Sequence, residues 1–281
     1  MRRDPGALIR RAATATFRAT VFAAPWAAGL ALVQAVATWA ILRNFAFDAR
    51  SAASNFSPVS FFQRDVSWWS WLQQASSDTF GESFDRLGTY VVTTLVILTF
   101  AAIWMQSLMA AAVVDRGFTR RWLPRVMVRA IGRAPALAVA WAPAMVVLGG
   151  PWWLSARLDR AGNTAGSALA MLPILPIMYF VVPPLLLVPA KVVTSNSSFL
   201  RWPVDGIVES WRAVSGQRLQ AWLVVMIGGG IVIGPVIAVC WLFALASILM
   251  IPIATGVVIG GTALACGGLA AAGAAVHDEF W

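Results

Sequence analysis

Long apolar stretches without a single charged residue alternate along the chain with short, arginine-rich ones. The uncharged stretches cover about residues 19–42, 89–114, 135–156, 167–190 and 219–276. Crossing a bilayer as a helix takes about 20 residues. The first four stretches each suit one crossing. The fifth suits two, with a turn expected near 244–249, marked by Ser247 and Pro252. The pattern predicts an all-α polytopic transmembrane helix bundle of about six spans. These are 19–42, 89–114, 135–156, 167–190, 219–243 and 250–276, in a single transmembrane domain over 1–281, with an outside loop at 43–88.

Three arginine-bearing stretches share a layout. Each begins with a proline, at Pro5, Pro124 and Pro203, which suits a first helical position because its missing N–H has no partner there. A basic, partly apolar segment follows, and then a span. In the third, Val204, Ile207, Val208, Trp211 and Val214 recur at helical spacing while Asp205, Glu209 and Arg212 point elsewhere. Such segments are expected as interfacial amphipathic helices in the headgroup plane. Val113-Val114-Asp115 running to Trp122 parallels Val192-Val193-Thr194 running to Trp202. The chain thus reads as a three-fold hairpin repeat, each unit an interfacial helix, a span out and a span back.

Composition agrees. The chain is 59% hydrophobic and only 12% charged, about half the charge that a water-exposed surface needs. The net charge of +9 does not indicate nucleic acid, because the basic residues flank apolar segments instead of forming one dense patch. Anionic lipid headgroups are the expected partner, with Arg121, Arg125, Arg129 and Arg133 as candidate contacts. Lys191 is the one lysine among 21 basic residues, a bias read as GC-rich bacterial coding. With the N-terminus inside, fifteen basic residues fall inside and six outside, while the acidic residues divide equally. This asymmetry predicts that both termini are cytoplasmic, in the inner membrane of a bacterium. Residues 1–42 are too long in both their basic and apolar parts for a cleaved signal, so the first span is expected to be retained. Trp26, Trp39, Trp141, Trp152, Trp153, Trp222 and Trp241 fall near span ends, where amphipathic rings settle. Trp104 is mid-span and expected between helices.

Candidate chemistry is sparse. Cys240 and Cys266 lie in apolar runs and read as buried thiols. His277 is the sole histidine, so neither a histidine-based metal site nor a Ser/His/Asp triad is expected. No phosphate-binding glycine loop, GxSxG or HExxH occurs. No expected span carries Asp, Glu, Lys, Arg or His, the residues that ion and proton pathways use. No catalytic residue, cofactor or metal is expected. Gly228, Gly229 and Gly230 with Gly234-Pro235 in the fifth stretch, and Pro173, Pro176, Pro183, Pro184 and Pro189 in the fourth, are candidate helix breaks, although glycine and proline also permit ordinary packing and kinks. Gly230-xxx-Gly234 and Gly256-xxx-Gly260 suit helix contact. In the outside loop, Phe61, Phe62, Trp68, Trp69 and Trp71 form an aromatic patch suited to lipid or to another membrane protein. Asp78, Glu82 and Asp85 can share a helix face, which favours a solvated surface over a cation site.

One stretch resembles a known family. LLLVPAKVVTSNSSFLRWPVDGIVESWRAVSGQRLQAW is similar to the membrane domain attached to some bacterial glycerophosphodiester phosphodiesterases and to related six-span proteins. The shared element is a span ending in proline, then an amphipathic Ser-Trp segment, then glycine and a basic residue. Pro189, Ser210, Trp211, Gly216 and Arg218 stand there. The family's usual glutamate after the span is replaced by Lys191-Val192-Val193. The resemblance covers roughly 40 residues and carries no catalytic domain.

These features point to a non-enzymatic accessory, scaffold or assembly subunit that binds lipid and other integral membrane proteins. The alternative is a transporter or permease-like subunit for lipid or an apolar solute, using the glycine- and proline-broken helices. An enzyme acting on headgroups through Asp78, Glu82 or Asp85 ranks third. Cysteine-accessibility labelling should place residues 116–133 and 201–218 on one face of the bilayer. Labelling from opposite faces would refute the span count.

Overall fold

The computed structural model describes residues 4–42, 81–116, 118, 123–195, 201–246 and 251–280. The elements among them are helical, without a strand: α1 (Pro5–Leu42), α2 (Gly81–Val114), α3 (Leu123–Arg160), α4 (Thr164–Met171), α5 (Ile174–Thr194), α6 (Trp202–Val214), α7 (Arg218–Ala246) and α8 (Ile251–Val276). A single 3-10 turn, His277–Glu279, follows. Among the described residues five spans are long and apolar enough to cross a membrane, α4 and α5 forming one of them, and the count is six if the two limbs of α3, bent by 49°, are one span. The expected spans fall within these helices. Of the turn expected near 244–249, residues 244–246 still belong to α7 and the remainder lies outside the described residues.

The distribution of side chains is that of a protein in lipid. On α1 the buried positions are Leu8, Ala12, Thr16, Ala19, Ala23, Ala27, Gln34 and Thr38, a stripe recurring every three, four or seven residues. Phe17, Val21, Leu32, Val33, Val36 and Trp39 face outward. Large apolar groups outside and small ones inside reverse the order of a water-soluble core, because lipid already satisfies apolar surface and helices associate through close packing.

Helix α8 is the hub, packed against α1, α2, α5 and α7. Its glycines make this possible. A Cβ at Gly260 would lie 2.8 Å from the Ala27 carbonyl oxygen, on α1. One at Gly261 would lie 2.8 Å from Cys240 Sγ on α7, and one at Gly267 would lie 2.8 Å from the Met105 carbonyl oxygen on α2. Gly273 meets the backbone of Leu186 on α5 in the same way. Helix α3 leans on α2 and α5 from the outside of this group. Ser107 Oγ donates to the Ala130 carbonyl at 2.8 Å, and Trp141 Nε1 donates to Gln106 Oε1 at 2.8 Å. Trp141 is therefore a bridge between α2 and α3. Trp104 packs edge-on against Trp26, with ring centroids 6.3 Å apart, which is the interhelical role expected of it.

Three expectations change in detail. Of the basic stretches, only the third forms a separate helix, α6. The first two are the opening turns of α1 and α3, each 38 residues and about 57 Å long, nearly twice the hydrocarbon thickness. The difference lies in the breaker. Ser215-Gly216-Gln217 forms a turn after α6, whereas nothing between Pro5 and the first span interrupts α1. Second, α7 continues unbroken through Gly228, Gly229, Gly230 and Pro235, and α5 through Pro183 and Pro184. Of the prolines in the fourth span, Pro173 is the one at a break, in the turn Leu172-Pro173 between α4 and α5. Third, the two GxxxG segments differ in use. Gly256 and Gly260 meet α1, while Gly230 and Gly234 have nothing within 4 Å of an added Cβ.

Gly260→Leu is therefore expected to destabilise the protein by about 1–3 kcal/mol through overpacking, with Gly234→Ala within about 0.5 kcal/mol of wild type. Unfolding in mild detergent checks both, and equal effects would contradict the assignment of the α8–α1 seam.

Candidate functional site

The two chain ends meet at one end of the bundle. Arg11 Nη1 lies 3.2 Å from Glu279 Oε1. The C-terminal ends of α2, α5 and α8 reach the same level, beside the opening turns of α1. Between them is an open cleft of about 790 Å³. Its cationic lining is Arg10, Arg11, Arg18 and Arg116, with His277 and Asp278 on the α8 side. Ala15, Val113, Val114 and Phe118 supply an apolar wall.

Each arginine is placed by a local cause. Arg10, Thr14 and Arg18 recur every four residues, so α1 carries them on one face. Arg116 stands in the turn that ends α2, with φ of 51°. That left-handed conformation is uncommon for residues other than glycine and persists where surroundings enforce it. Here Asp115 N–H donates to the Ala111 carbonyl at 2.9 Å and Arg116 N–H to that of Val113 at 3.2 Å. Arg129 on α3 then grips the Asp115 carboxylate at 2.7 Å. Arg129 thus anchors the turn that presents Arg116 to the cleft. On the opposite wall His277 Nε2 lies 2.7 Å from Asp278 Oδ1, and Nδ1 lies 2.8 Å from the Ala274 carbonyl oxygen.

Helix α6 lies next to α5 at this end. Its buried face is Pro203, Gly206, Ser210 and Val214, and a Cβ at Gly206 would meet Val192 at 2.7 Å. The apolar stripe read from sequence therefore divides. Val214 turns into the protein, Ile207 is partly buried, and Val204, Val208 and Trp211 remain exposed. Small residues at 206 and 210 let α6 seat directly on α5. Lys191 pairs with Glu209 across this contact. The Arg133 guanidinium stacks 3.4 Å from the centroid of Trp202 and donates to the Ser195 carbonyl at 2.7 Å. Arg218 lies over Trp211 at 5.3 Å and Phe180 at 4.9 Å. Of the residues carrying the family resemblance, Pro189 and Ser210 are buried, and Trp211 and Arg218 form this cation–π contact.

Of the expected lipid contacts, Arg129 and Arg133 are thus engaged by protein groups, and Arg125 is exposed on the first turns of α3. Arg121 lies outside the described residues, as do Phe61, Phe62, Trp68, Trp69, Trp71 and Asp78. Glu82 and Asp85 are in α2. Gly228 is buried against Ala12 and the Ile9 carbonyl, and Gly229 against Leu269 and Ala272. Pro183 and Pro184 are buried within α5. No group of three or more His, Cys, Asp or Glu able to hold a metal occurs among the described residues.

Sequence reading missed two features. The face formed by Arg10, Thr14 and Arg18 was visible as a four-residue spacing, but its convergence with Arg116 and His277 is tertiary. The second is a polar knot toward the far end of the bundle. Gln34 Nε2 donates to Thr38 Oγ1 at 3.1 Å and to Thr94 Oγ1 at 3.0 Å, and Thr38 and Thr255 hydroxyls are 3.1 Å apart. It joins α1, α2 and α8. Comparison with protein-family models, curated proteins and solved structures returns no match.

Arg133→Ala should loosen α6 by removing both the Trp202 stack and the Ser195 hydrogen bond. Hydrogen exchange over 202–214 is expected to rise about tenfold, the equivalent of roughly 1.4 kcal/mol of lost protection. Unchanged exchange would show that Gly206 and Ser210 packing alone holds the helix.

Proposed function

We propose that this multi-pass membrane protein is a non-enzymatic scaffold or accessory subunit of the bacterial cytoplasmic membrane, with both termini on the cytoplasmic side. The observation that supports this most is the close packing at Gly228 and Gly229, where the transporter alternative needs a cavity. Gly228 and Gly229 are filled by α1 and α8, and α7 and α5 stay helical through their glycines and prolines. A transporter built on broken helices needs unwound backbone lining a cavity at the midplane; the fifth span has no such break at Gly228, Gly229, Gly230 or Pro235, and the break at Leu172-Pro173 in the fourth lies at exposed residues. The arginines gathered at the end carrying both termini favour a cytoplasmic placement of that end under the positive-inside rule.

Purification in mild detergent after chemical crosslinking in native membranes tests the proposal. The expected result is a reproducible membrane-protein partner in stoichiometric yield. Recovery only as a lone monomer, together with lipid or solute flux in reconstituted vesicles, would replace the scaffold reading with the transporter one.

A further inference from the structure

We infer that the cleft between α1 and the ends of α2, α5 and α8 is a binding site for the phosphate of an anionic phospholipid. The inference rests on the reading that this end of the bundle lies at a leaflet surface.

The charge balance comes first. Arg10, Arg11, Arg18 and Arg116 face Asp278, and Glu279 takes up Arg11. Two positive charges remain. The three helix C-termini at the cleft contribute roughly half a negative charge each, which is less than the arginine excess. The donors matter more. Arg10, Arg18 and Arg116 have no carboxylate partner and no hydrogen-bond acceptor among the described residues. Each guanidinium offers five N–H donors in a planar fork that matches phosphate oxygens in pairs. Neutralising helix ends would not require three such forks converging from two different elements.

Size and shape select a lipid over a bare ion. A volume of about 790 Å³ is that of a small-molecule pocket, far more than one phosphate fills. The remainder is bounded by Val113, Val114 and Phe118, an apolar wall that would lie against a glycerol backbone and the start of an acyl chain. This wall continues toward the bilayer interior. Phe118, beyond the end of α2, packs edge-on against Phe22 of α1 with centroids 6.4 Å apart, and Trp26 of α1 meets Trp104 of α2 one turn of α1 farther along. A soluble phosphate compound would gain from the arginines but not from this apolar track.

The test uses the full chain in neutral detergent, with lipid retention read by native mass spectrometry. Phosphatidylglycerol and phosphatidic acid should be retained in preference to phosphatidylcholine. The double variant R10Q/R18Q should bind them about thirty-fold more weakly, from two lost arginine contacts of roughly fivefold each. R116G relieves the left-handed backbone and keeps the fold, so its expected several-fold loss of retention cannot be ascribed to unfolding. R212Q, exposed at the same end outside the cleft, should bind as wild type. Equal retention of phosphatidylcholine, or undiminished binding by both cleft variants, would overturn the site. Displacement of the lipid by glycerol 3-phosphate at equal concentration would overturn the lipid assignment in favour of a soluble phosphate compound. None of these outcomes depends on a protein partner, so they separate this site from the scaffold proposal.

Discussion

The structure depends on how little side chain α8 carries. Four helices can surround it because glycine and alanine predominate at its contact positions, with Ile259, Leu264 and Val276 as the larger buried groups. Backbone meets backbone at Gly260 with Ala27 and at Gly267 with Met105. In lipid, where hydrophobic burial gives no preference for one apolar neighbour over another, such close contact is the main source of association. The stripe on α1 is its complement, with Ala19, Ala23 and Ala27 presenting equally small groups. Two polar features then fix register along a seam that dispersion alone would leave free to slide. Thr16 Oγ1 donates to the Ala12 carbonyl at 2.8 Å and reaches the Gly268 carbonyl at 3.3 Å, near one end. The Gln34, Thr38, Thr94 and Thr255 knot ties three helices toward the other. Each such bond contributes only about 0.6 kcal/mol in a membrane, but a one-residue slip would break several at once.

The spans were legible because lipid imposes one strong rule, the exclusion of charge over about 20 residues, and hydropathy reports that rule directly. What hydropathy does not report is which face of a span meets which neighbour. Gly256-xxx-Gly260 and Gly230-xxx-Gly234 are the same motif, yet the first is buried on α1 and the second faces outward. Proline is ambiguous for a related reason. Pro183 and Pro184 remove the donors that would serve the carbonyls of Tyr179 and Phe180, but the surrounding helices hold α5 in shape at these buried positions. At the less protected Pro173 the helix does break. The first two basic stretches show a third limit. Amphipathic character predicts a surface location but not whether the chain bends before the span. Ser215-Gly216 decides that for α6.

The basic end illustrates how a candidate site moves when tertiary structure is added. From sequence, Arg121 through Arg133 form the densest cationic run outside the N-terminus and are the natural headgroup contacts. Folding gives two of them other duties, Arg129 on Asp115 and Arg133 on Trp202. Among the described residues, Arg10 and Arg18 have no such partners, and Arg11 has Glu279. Position along the helix explains this. α3 enters between α2 and α6, so Arg129 and Arg133 face protein, whereas residues 10–18 of α1 form one wall of an open cleft.

This division of labour connects the two halves of the structure. Arg129 anchors the Asp115 turn and thereby fixes where Arg116 points, and α8 sets how closely α1 approaches the end of α2. The cleft width is therefore governed by the same side-chain-poor seam that holds the bundle. Widening that seam near Gly267 or Gly268 would separate Arg18 from Arg116 before it unfolded any helix. A site assembled from three helix ends in this way reports on the packing of the whole bundle, which is a useful property for a protein whose proposed role is to hold others in place.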